Sequence, residues 1–349
     1  MIDSALDPLR IVYVGPLQPG DTCLHRMEAL RDLGHQVVGI DTTPVRKTGV
    51  ARILHAARRR VGRAPDTTGT NQKIVEACRE PLDVLWIDKG LAIQPATLEE
   101  VRHHHPRAVL LSYSPDDMMN PRNQSALYRA CIPLYDLHVT TKSFNVRELL
   151  DAGARSAVMV DNGYAERVHR PMQISSKERE RFGGPLGCIA FWEADRERSL
   201  TFLAKRGLSV RVWGPWPRRR YHPNLRVEGV AAWAEDYPRA IAAFDINLAF
   251  LRKVNRDQQT TRSVEIPACG AFMLAERSEE HLRLFKEGTE AEFFGSDEEL
   301  LEKCRFYLER PDARQRIAAA GRARCVASGY GNCHRMSEVI QHVRSMSAS

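Results

Sequence analysis

The chain has 349 residues, 43% of them hydrophobic, and a formal net charge of +7. This length exceeds one ordinary core and predicts two domains, while the hydrophobic content excludes a largely disordered chain. No apolar run approaches the roughly 18 residues that a membrane span needs. The positive charge favours anionic partners, without choosing among nucleotide, lipid and nucleic acid.

The N-terminus leads from Asp3 and Asp7 directly into a predicted strand, and no signal peptide is visible. None of the eight cysteines forms a CxxC pair. We therefore expect reduced thiols in a cytoplasmic protein, and no zinc site.

Alternating strands and helices begin at the N-terminus. A predicted strand over 11–15 is followed by a loop, a helix over about 22–33 with Asp21 as its expected N-cap, and a second strand over 37–40. A short strand that leads through a glycine-containing loop into a helix is how doubly wound domains begin. The loop contains neither GxGxxG nor a Walker A sequence, so the fingerprints of dinucleotide and triphosphate binding are missing.

Residues 46–63 carry a run of basic side chains with no acid among them. Apolar residues recur at helical spacing, which predicts a basic amphipathic helix. Such a helix can lie on an anionic membrane surface, where each basic group adds about 1 kcal/mol of attraction. It can also pack its apolar stripe on its own domain. Nucleic acid is not expected as a partner, because no aromatic residues interleave the charges.

Two acids, Asp116 and Asp117, follow the fourth predicted strand, which covers about 108–112. Ligands of open α/β sheets bind outside the carboxyl ends of the strands. A carboxylate there could orient a substrate hydroxyl or take its proton. The same pair could instead be a helix N-cap.

The second half of the chain repeats the alternation of strands and helices, so both halves are expected to hold parallel sheets. The predicted domains are residues 1–163 and 173–330, joined by a linker over 164–172. A C-terminal helix within 331–349 is expected to pack back on the first domain.

The motif RSVEIPACG at 262–270 places an acid at a predicted helix start, followed by the apolar run 271–275, which predicts a buried parallel strand. A carboxylate so placed, Glu265, can accept two hydrogen bonds from the vicinal hydroxyls of a ribose. Arg262 could face a diphosphate in the same cleft, because a guanidinium offers paired donors to phosphate oxygens.

After this motif come the apolar strand, a glutamate-rich helix that ends in Leu-Phe, and the segments GTEA and DEEL. This order resembles the C-terminal domain of the CgeB-like glycosyltransferases, and the resemblance continues to Tyr330. These enzymes are related to the retaining GT-B families, whose donors are nucleotide sugars. The resemblance implies an α/β protein of GT-B fold, in which two Rossmann-like domains with parallel sheets face each other across a cleft.

The resemblance also implies roles for individual residues. It places Arg196 at the donor diphosphate. Trp192, however, stands where related families carry a basic residue. Four other basic residues therefore stay candidates for the diphosphate contact: Arg198, Arg252, Lys253 and Arg262. Glu265 is implied at the ribose, and Asp257, eight positions earlier, at the sugar hydroxyls. The alternatives are a surface salt bridge for Arg196 and a helix cap for Glu265.

The expected site residues fall into three groups. The catalytic candidates are Asp116, Asp117 and Asp257. The donor-binding candidates are Arg196, Gly214, Trp216, Lys253, Arg262, Glu265 and Gly270. The resemblance places Gly20, Thr22 and Arg26 on the acceptor side, where the alternative is a plain turn with a solvated arginine.

We therefore predict a glycosyltransferase that moves a sugar from a nucleotide-sugar donor to a hydroxyl acceptor, with no cofactor and no metal. The acceptor is expected to be a glycan, a lipid-linked molecule or a small molecule. A lipid-linked acceptor would bring the basic segment 46–63 to the inner face of the membrane. Two other functions stay open: a nucleotide-sugar epimerase of GT-B fold, and a non-catalytic membrane-surface or scaffold protein with a degenerate nucleotide site.

Overall fold

The computed structural model describes residues 7–44 and 65–347. The predicted basic helix at 46–63 lies outside the described residues. The chain divides into two compact units. The first holds the described residues up to Asp161 and those from Asn332 onward, and the second is Asn162–Gly331.

Strands and helices alternate through both units. The strands are β1 Arg10–Gly15, β2 Gln36–Asp41, β3 Val84–Asp88, β4 Val109–Ser114, β5 Leu137–Thr140, β6 Ala157–Met159, β7 Gly184–Ile189, β8 Val210–Trp213, β9 Leu225–Val227, β10 Phe244–Ala249, β11 Met273–Glu276 and β12 Glu292–Phe294. The α-helices of the described residues are α1 Thr22–Asp32, α2 Thr70–Ala77, α3 Pro95–His104, α4 Ala126–Cys131, α5 Ser143–Asp151, α6 Ser176–Phe182, α7 Ala194–Lys205, α8 Asp236–Ala243, α9 Arg262–Ala268, α10 Glu279–Leu284, α11 Asp297–Leu308, α12 Pro311–Ala327 and α13 Asn332–Ser347. None of the helices in the described ranges is long and apolar enough to cross a membrane.

The first unit is built on a six-stranded sheet with the order β2-β1-β3-β4-β5-β6, in which every pairing is parallel. Its central strands β3 and β4 are buried along their whole length, as continuous apolar runs in parallel sheets are. Tyr13, Trp86 and Tyr113 stack across β1, β3 and β4, with ring centroids 5.7 Å apart in each pair. The C-terminal helix α13 packs Met336 and Val339 into the same core.

The second unit holds a parallel six-stranded sheet with the order β12-β11-β10-β7-β8-β9. Two of its elements were not predicted. Helix α6 begins with a capping box, in which Ser175 and Glu178 bond each other's backbone N–H groups, a signal that the sequence carries at this spacing. Strand β12 has only three residues, too few for a pattern to show.

Several local predictions need correction. Asp21 stands at the N-cap of α1, but its carboxylate accepts a hydrogen bond from Gln18 N (2.9 Å) and caps no helical N–H group. The segment predicted as a linker, 164–172, is part of the second unit, where Tyr164 N donates to Tyr330 O (3.1 Å).

No disulfide joins any of the eight cysteines, all of which the structure describes.

Each sheet has one point where the strand order reverses, between β1 and β3 in the first unit and between β7 and β10 in the second. The loops that leave the carboxyl ends of these strands diverge and leave a crevice, which is where open α/β sheets bind ligands. Both units have a cavity at this place.

Candidate active site

The cavity of the second unit has a volume of about 250 Å³ and lies at the carboxyl ends of β7 and β10. Arg196 and Ser199 line it from α7, which follows β7. Phe250 and Lys253 line it from the loop after β10. The strand order therefore brings together two of the predicted donor-binding residues, Arg196 and Lys253, which lie 57 positions apart in the sequence.

Arg196 is buried, with 3% of its surface exposed, so the surface salt bridge considered above does not apply. Its Nη1 donates to the carbonyl oxygen of Phe191, and its Nη2 lies 3.6 Å from Glu193 Oε2, too far for a hydrogen bond. Its Nε and Nη2 have no hydrogen-bond partner. Burial lowers the pKa of Arg196, and the charges of Arg262 and Arg252 act in the same direction. This cation is therefore incompletely compensated by the protein.

The other basic residues of this edge are paired with carboxylates. Lys253 forms an ion pair with Glu276, and Arg252 Nε lies 3.3 Å from Glu193 Oε1. Arg198 is exposed and pairs with Asp195. The side chains of Arg252 and Lys253 are both at least one-third exposed, so these pairs can open to an incoming anion at little cost.

Glu265 lies in the short helix α9 and is 4% exposed. Its Oε2 accepts a hydrogen bond from the hydroxyl of Tyr237 (2.5 Å), and its Oε1 lies 3.7 Å from Nε2 of His169. A helix cap accepts hydrogen bonds from backbone N–H groups, whereas both contacts of this carboxylate are to side chains. Glu265 therefore has surroundings that a simple helix cap lacks. Arg262, one helical turn earlier, acts electrostatically on both Arg196 and Tyr237. Glu265 itself is not among the residues that line the 250 Å³ cavity.

The other predicted residues of the second unit have supporting positions. Asp257 is buried in the loop after β10, where it accepts hydrogen bonds from Arg252 N (3.3 Å) and Asn255 Nδ2 (2.7 Å). Gly214 and Trp216 follow β8 and contact Ala190, the residue after β7: Trp216 Nε1 donates to its carbonyl oxygen (2.9 Å).

A Cβ added at Gly214 would lie 2.0 Å from the carbonyl oxygen of Ala190, so only glycine allows this close approach. Gly270 lies at the amino end of β11, where it lines a different cavity, and the structure does not bring it to the other candidates.

The cavity of the first unit has a volume of about 390 Å³ and is lined by residues that follow β1 and β3. Thr22 and Arg26 line it, while Gly20 has a left-handed backbone (φ +92°) in the turn before α1. Arg26 is 4% exposed and donates from Nε (3.1 Å) and Nη2 (2.6 Å) to Asp88 Oδ2. The alternative of a solvated arginine is therefore wrong.

Asp88 also accepts a hydrogen bond from the hydroxyl of Tyr13 (2.9 Å). Burial acts to lower the pKa of Arg26, but the carboxylate of Asp88 raises it well above its ordinary value. Burial raises the pKa of Tyr13, and Asp88 raises it further. Asp88 was missed from the sequence, although it is the polar last residue of an apolar strand.

Asp116 and Asp117 have different surroundings. Asp116 forms an ion pair with Lys89, a residue that lines the same cavity. Asp117 is fully buried and accepts hydrogen bonds from Asn145 Nδ2 (2.9 Å) and Met119 N (3.1 Å). No helix follows the pair, since turns occupy the next residues up to α4, so the helix-cap alternative is wrong.

Comparisons with known proteins agree with this fold. Residues 196–341 match a protein-family model described as glycosyl transferase-like. HepE from Anabaena, solved in complex with UDP and glucose, is similar in structure over 97% of this chain and 100% of its own, with 14% sequence identity and a TM-score of 0.63. A search of curated proteins finds no match.

Two further solved structures are similar along most of their length. A glycosyltransferase from Rickettsia africae matches over 98% of this chain and 99% of its own, with 12% identity and a TM-score of 0.63. Sucrose-phosphate synthase from Thermosynechococcus elongatus matches over 97% and 99%, with 11% identity and a TM-score of 0.62.

The predicted fold class is confirmed: two six-stranded parallel sheets with flanking helices form the GT-B fold. The range that matches the glycosyl transferase-like family model, 196–341, includes all of the donor-binding candidates. The fold of this chain is therefore the GT-B fold, and its C-terminal part is similar to a glycosyl transferase-like family.

Proposed function

We propose that this enzyme transfers a sugar from a nucleotide-sugar donor to a hydroxyl group of an acceptor, with the donor bound in the second unit. The observation that carries the proposal is Arg196, a buried cation with two partnerless nitrogens beside a cavity at the point of strand reversal. Leaving such a group without hydrogen bonds costs stability, and a bound anion would restore them. A diphosphate has the charge and the oxygens to do so.

The mechanism follows from the charges at this edge. As the glycosidic bond breaks, negative charge grows on the departing nucleoside diphosphate. Arg196 and Lys253 would stabilise that charge, Glu265 would hold the ribose, and Asp257 would orient the sugar hydroxyls. HepE has been solved with UDP and with UDP-glucose, which makes UDP the first nucleotide to test.

The acceptor would bind in the 390 Å³ cavity of the first unit, next to Thr22 and Arg26. Asp116, paired with Lys89 at this cavity, is a candidate to orient or deprotonate the acceptor hydroxyl. A lipid-linked acceptor would also need membrane contact, for which the basic segment 46–63 remains our candidate.

Retention of the anomeric configuration and independence of metal ions are also part of the proposal. Retention is implied by the resemblance to CgeB-like and related retaining enzymes. The guanidinium and ammonium groups of Arg196, Arg252 and Lys253 support metal independence, because they can balance the charge of the diphosphate. Turnover unchanged by EDTA would agree with it, and NMR of the product's anomeric proton tests retention.

The decisive experiment measures heat-induced unfolding of the wild type with UDP, GDP, CDP and dTDP. We expect one of them to raise the melting temperature and the charge reversal Arg196→Glu to abolish this effect. Failure of all four to stabilise the protein would contradict the proposal. An epimerase would convert its donor with no acceptor present, so a product assay with donor alone separates it from a transferase. A scaffold protein would bind anionic liposomes equally well after charge reversal at Arg196 and Glu265.

A further inference from the structure

We infer that Tyr237 and His169 are positioning residues for Glu265, which hold its carboxylate in the orientation that accepts the two vicinal hydroxyls of the donor ribose. The inference rests on the proposed function, because it explains contacts around the acid proposed to bind ribose. The sequence did not indicate either residue. His169 belongs to the segment predicted as a linker, and Tyr237 belongs to α8.

Tyr237 determines the position of one carboxylate oxygen. Its hydroxyl donates to Glu265 Oε2 over 2.5 Å, although the two residues are 28 positions apart. Burial raises the pKa of Tyr237 well above its ordinary value, and the nearby carboxylate raises it further. The hydroxyl therefore stays protonated, and Oε2 has a permanent donor.

His169 faces the other oxygen. Its Nδ1 accepts a hydrogen bond from Ala165 N (2.9 Å), and a nitrogen that accepts carries no proton, so the neutral ring has its proton on Nε2. That nitrogen lies 3.7 Å from Glu265 Oε1, beyond hydrogen-bond length but oriented by the Ala165 contact. Burial lowers the pKa of His169, against the opposing effect of the two nearby glutamates, so the ring is neutral at neutral pH. Distances of this kind often shorten when a ligand binds.

The two side chains also hold each other. Their rings meet edge to face, with centroids 5.7 Å apart and an interplanar angle of 82°. His169 is 2% exposed, so it has little room to take another rotamer. Rotation of the Glu265 carboxylate would break the Tyr237 contact and disturb this pair.

The lone pairs of the carboxylate show what is left for a ligand. An ionised carboxylate has about four acceptor positions, two on each oxygen. Tyr237 uses one on Oε2, and Nε2–H of His169 faces Oε1. At least one acceptor position therefore remains on each oxygen, which suits a pair of adjacent hydroxyl donors such as those of ribose. A purely structural role for Tyr237 and His169 would stabilise α9 without affecting how strongly those hydroxyls bind.

The test compares the binding of UDP and 2′-deoxy-UDP, and of GDP and 2′-deoxy-GDP, by calorimetry. The wild type should bind the ribonucleotide about tenfold more tightly than its 2′-deoxy form, since each good hydrogen bond to a charged acceptor contributes on that scale. Tyr237→Phe removes one oxygen atom, and His169→Phe keeps a ring but removes the nitrogens. Each should reduce the preference for the 2′-hydroxyl to about twofold or less, mainly by weakening ribonucleotide binding. Glu265→Gln should reduce the preference equally, and adding Tyr237→Phe to it should have no further effect.

The second unit offers a matched control. The hydroxyl of Tyr307 donates to Glu292 Oε1 over 2.6 Å, a tyrosine–glutamate pair of the same geometry outside the candidate site. Tyr307→Phe should leave the preference at about tenfold even if it lowers stability by a similar amount. If Tyr237→Phe does not fold, His169→Phe provides the same comparison.

Three results would overturn the inference. Two of them would remove the positioning role but leave the proposed function intact. One is a wild type that binds UDP and its 2′-deoxy form equally. The other is a folded Tyr237→Phe or His169→Phe variant that keeps the tenfold preference. A wild type that binds none of UDP, GDP, CDP and dTDP would contradict the proposed function and, with it, the inference.

Discussion

Replacing Arg196 by methionine should make the free protein more stable and, at the same time, abolish nucleotide binding. The two partnerless nitrogens cost about 1–3 kcal/mol each, because a buried donor loses its bonds to water. Methionine keeps the aliphatic stem and gives up the hydrogen bond to Phe191 O, a loss of about 1.5–3 kcal/mol for a charged donor. At the middle of these ranges the two costs total about 4 kcal/mol and the lost hydrogen bond about 2 kcal/mol, so the balance is a gain of about 2 kcal/mol in the free energy of unfolding.

The assay is thermal and urea unfolding with and without UDP. A ligand at 100 times its dissociation constant adds about 2.7 kcal/mol to the stability of a protein that binds it. Arg196→Met should therefore melt a few degrees above the wild type without UDP, at about 2–4 °C per kcal/mol, and below it with saturating UDP. This reversal of order distinguishes a binding residue from a packing residue.

The control is Arg226→Met in the same unit. Arg226 is 63% exposed in its side chain and pairs with Glu228 at 2.6 Å on the surface. Surface ion pairs contribute about 0–1 kcal/mol, so this variant should keep both the wild-type stability and the UDP effect. The reasoning is refuted if Arg196→Met is less stable than the wild type without nucleotide, or if UDP still raises its melting temperature.

Three further predictions concern stability. Gly214→Ala should lower the free energy of unfolding of the second unit by about 3 kcal/mol, because the added Cβ would overlap the carbonyl oxygen of Ala190. Urea denaturation measures this loss. A loss under about 1 kcal/mol would contradict the predicted overlap. Arg26→Met should lower the free energy of unfolding by about 3–5 kcal/mol, since it leaves the carboxylate of Asp88 buried without its ion-pair partner. The double variant with Asp88→Leu should recover most of this loss. No recovery would count against a buried ion pair. Burial lowers the pKa of four histidines below the ordinary 6.5: His35, His138, His169 and His281. Below pH 6.5 these histidines become protonated in the unfolded chain but stay neutral in the folded chain, so the free energy of unfolding falls as the pH falls, by up to about 1.4 kcal/mol per pH unit for each histidine. Unfolding measured from pH 7 to pH 5 should show this decline. The variant His138→Phe should make the decline less steep in the first unit.

The sequence by itself determined the class of fold. Continuous apolar runs such as β3 and β4, separated by helices with glycine or proline at their ends, predict parallel sheets because only strands buried on both faces have this composition. The motif around Glu265 indicated both the kind of fold and the donor side, since its residues are consecutive in the chain.

The tertiary structure alone decided which side chains meet. Arg26 and Asp88 are 62 positions apart, and their pairing depends on β1 lying next to β3 in the sheet. Tyr237 and His169 reach Glu265 from two separate segments, and no local periodicity records such a meeting. The partnerless nitrogens of Arg196 are equally invisible in the sequence, because burial of a charged group is a property of the packed unit and its cost appears only when the surrounding partners are known.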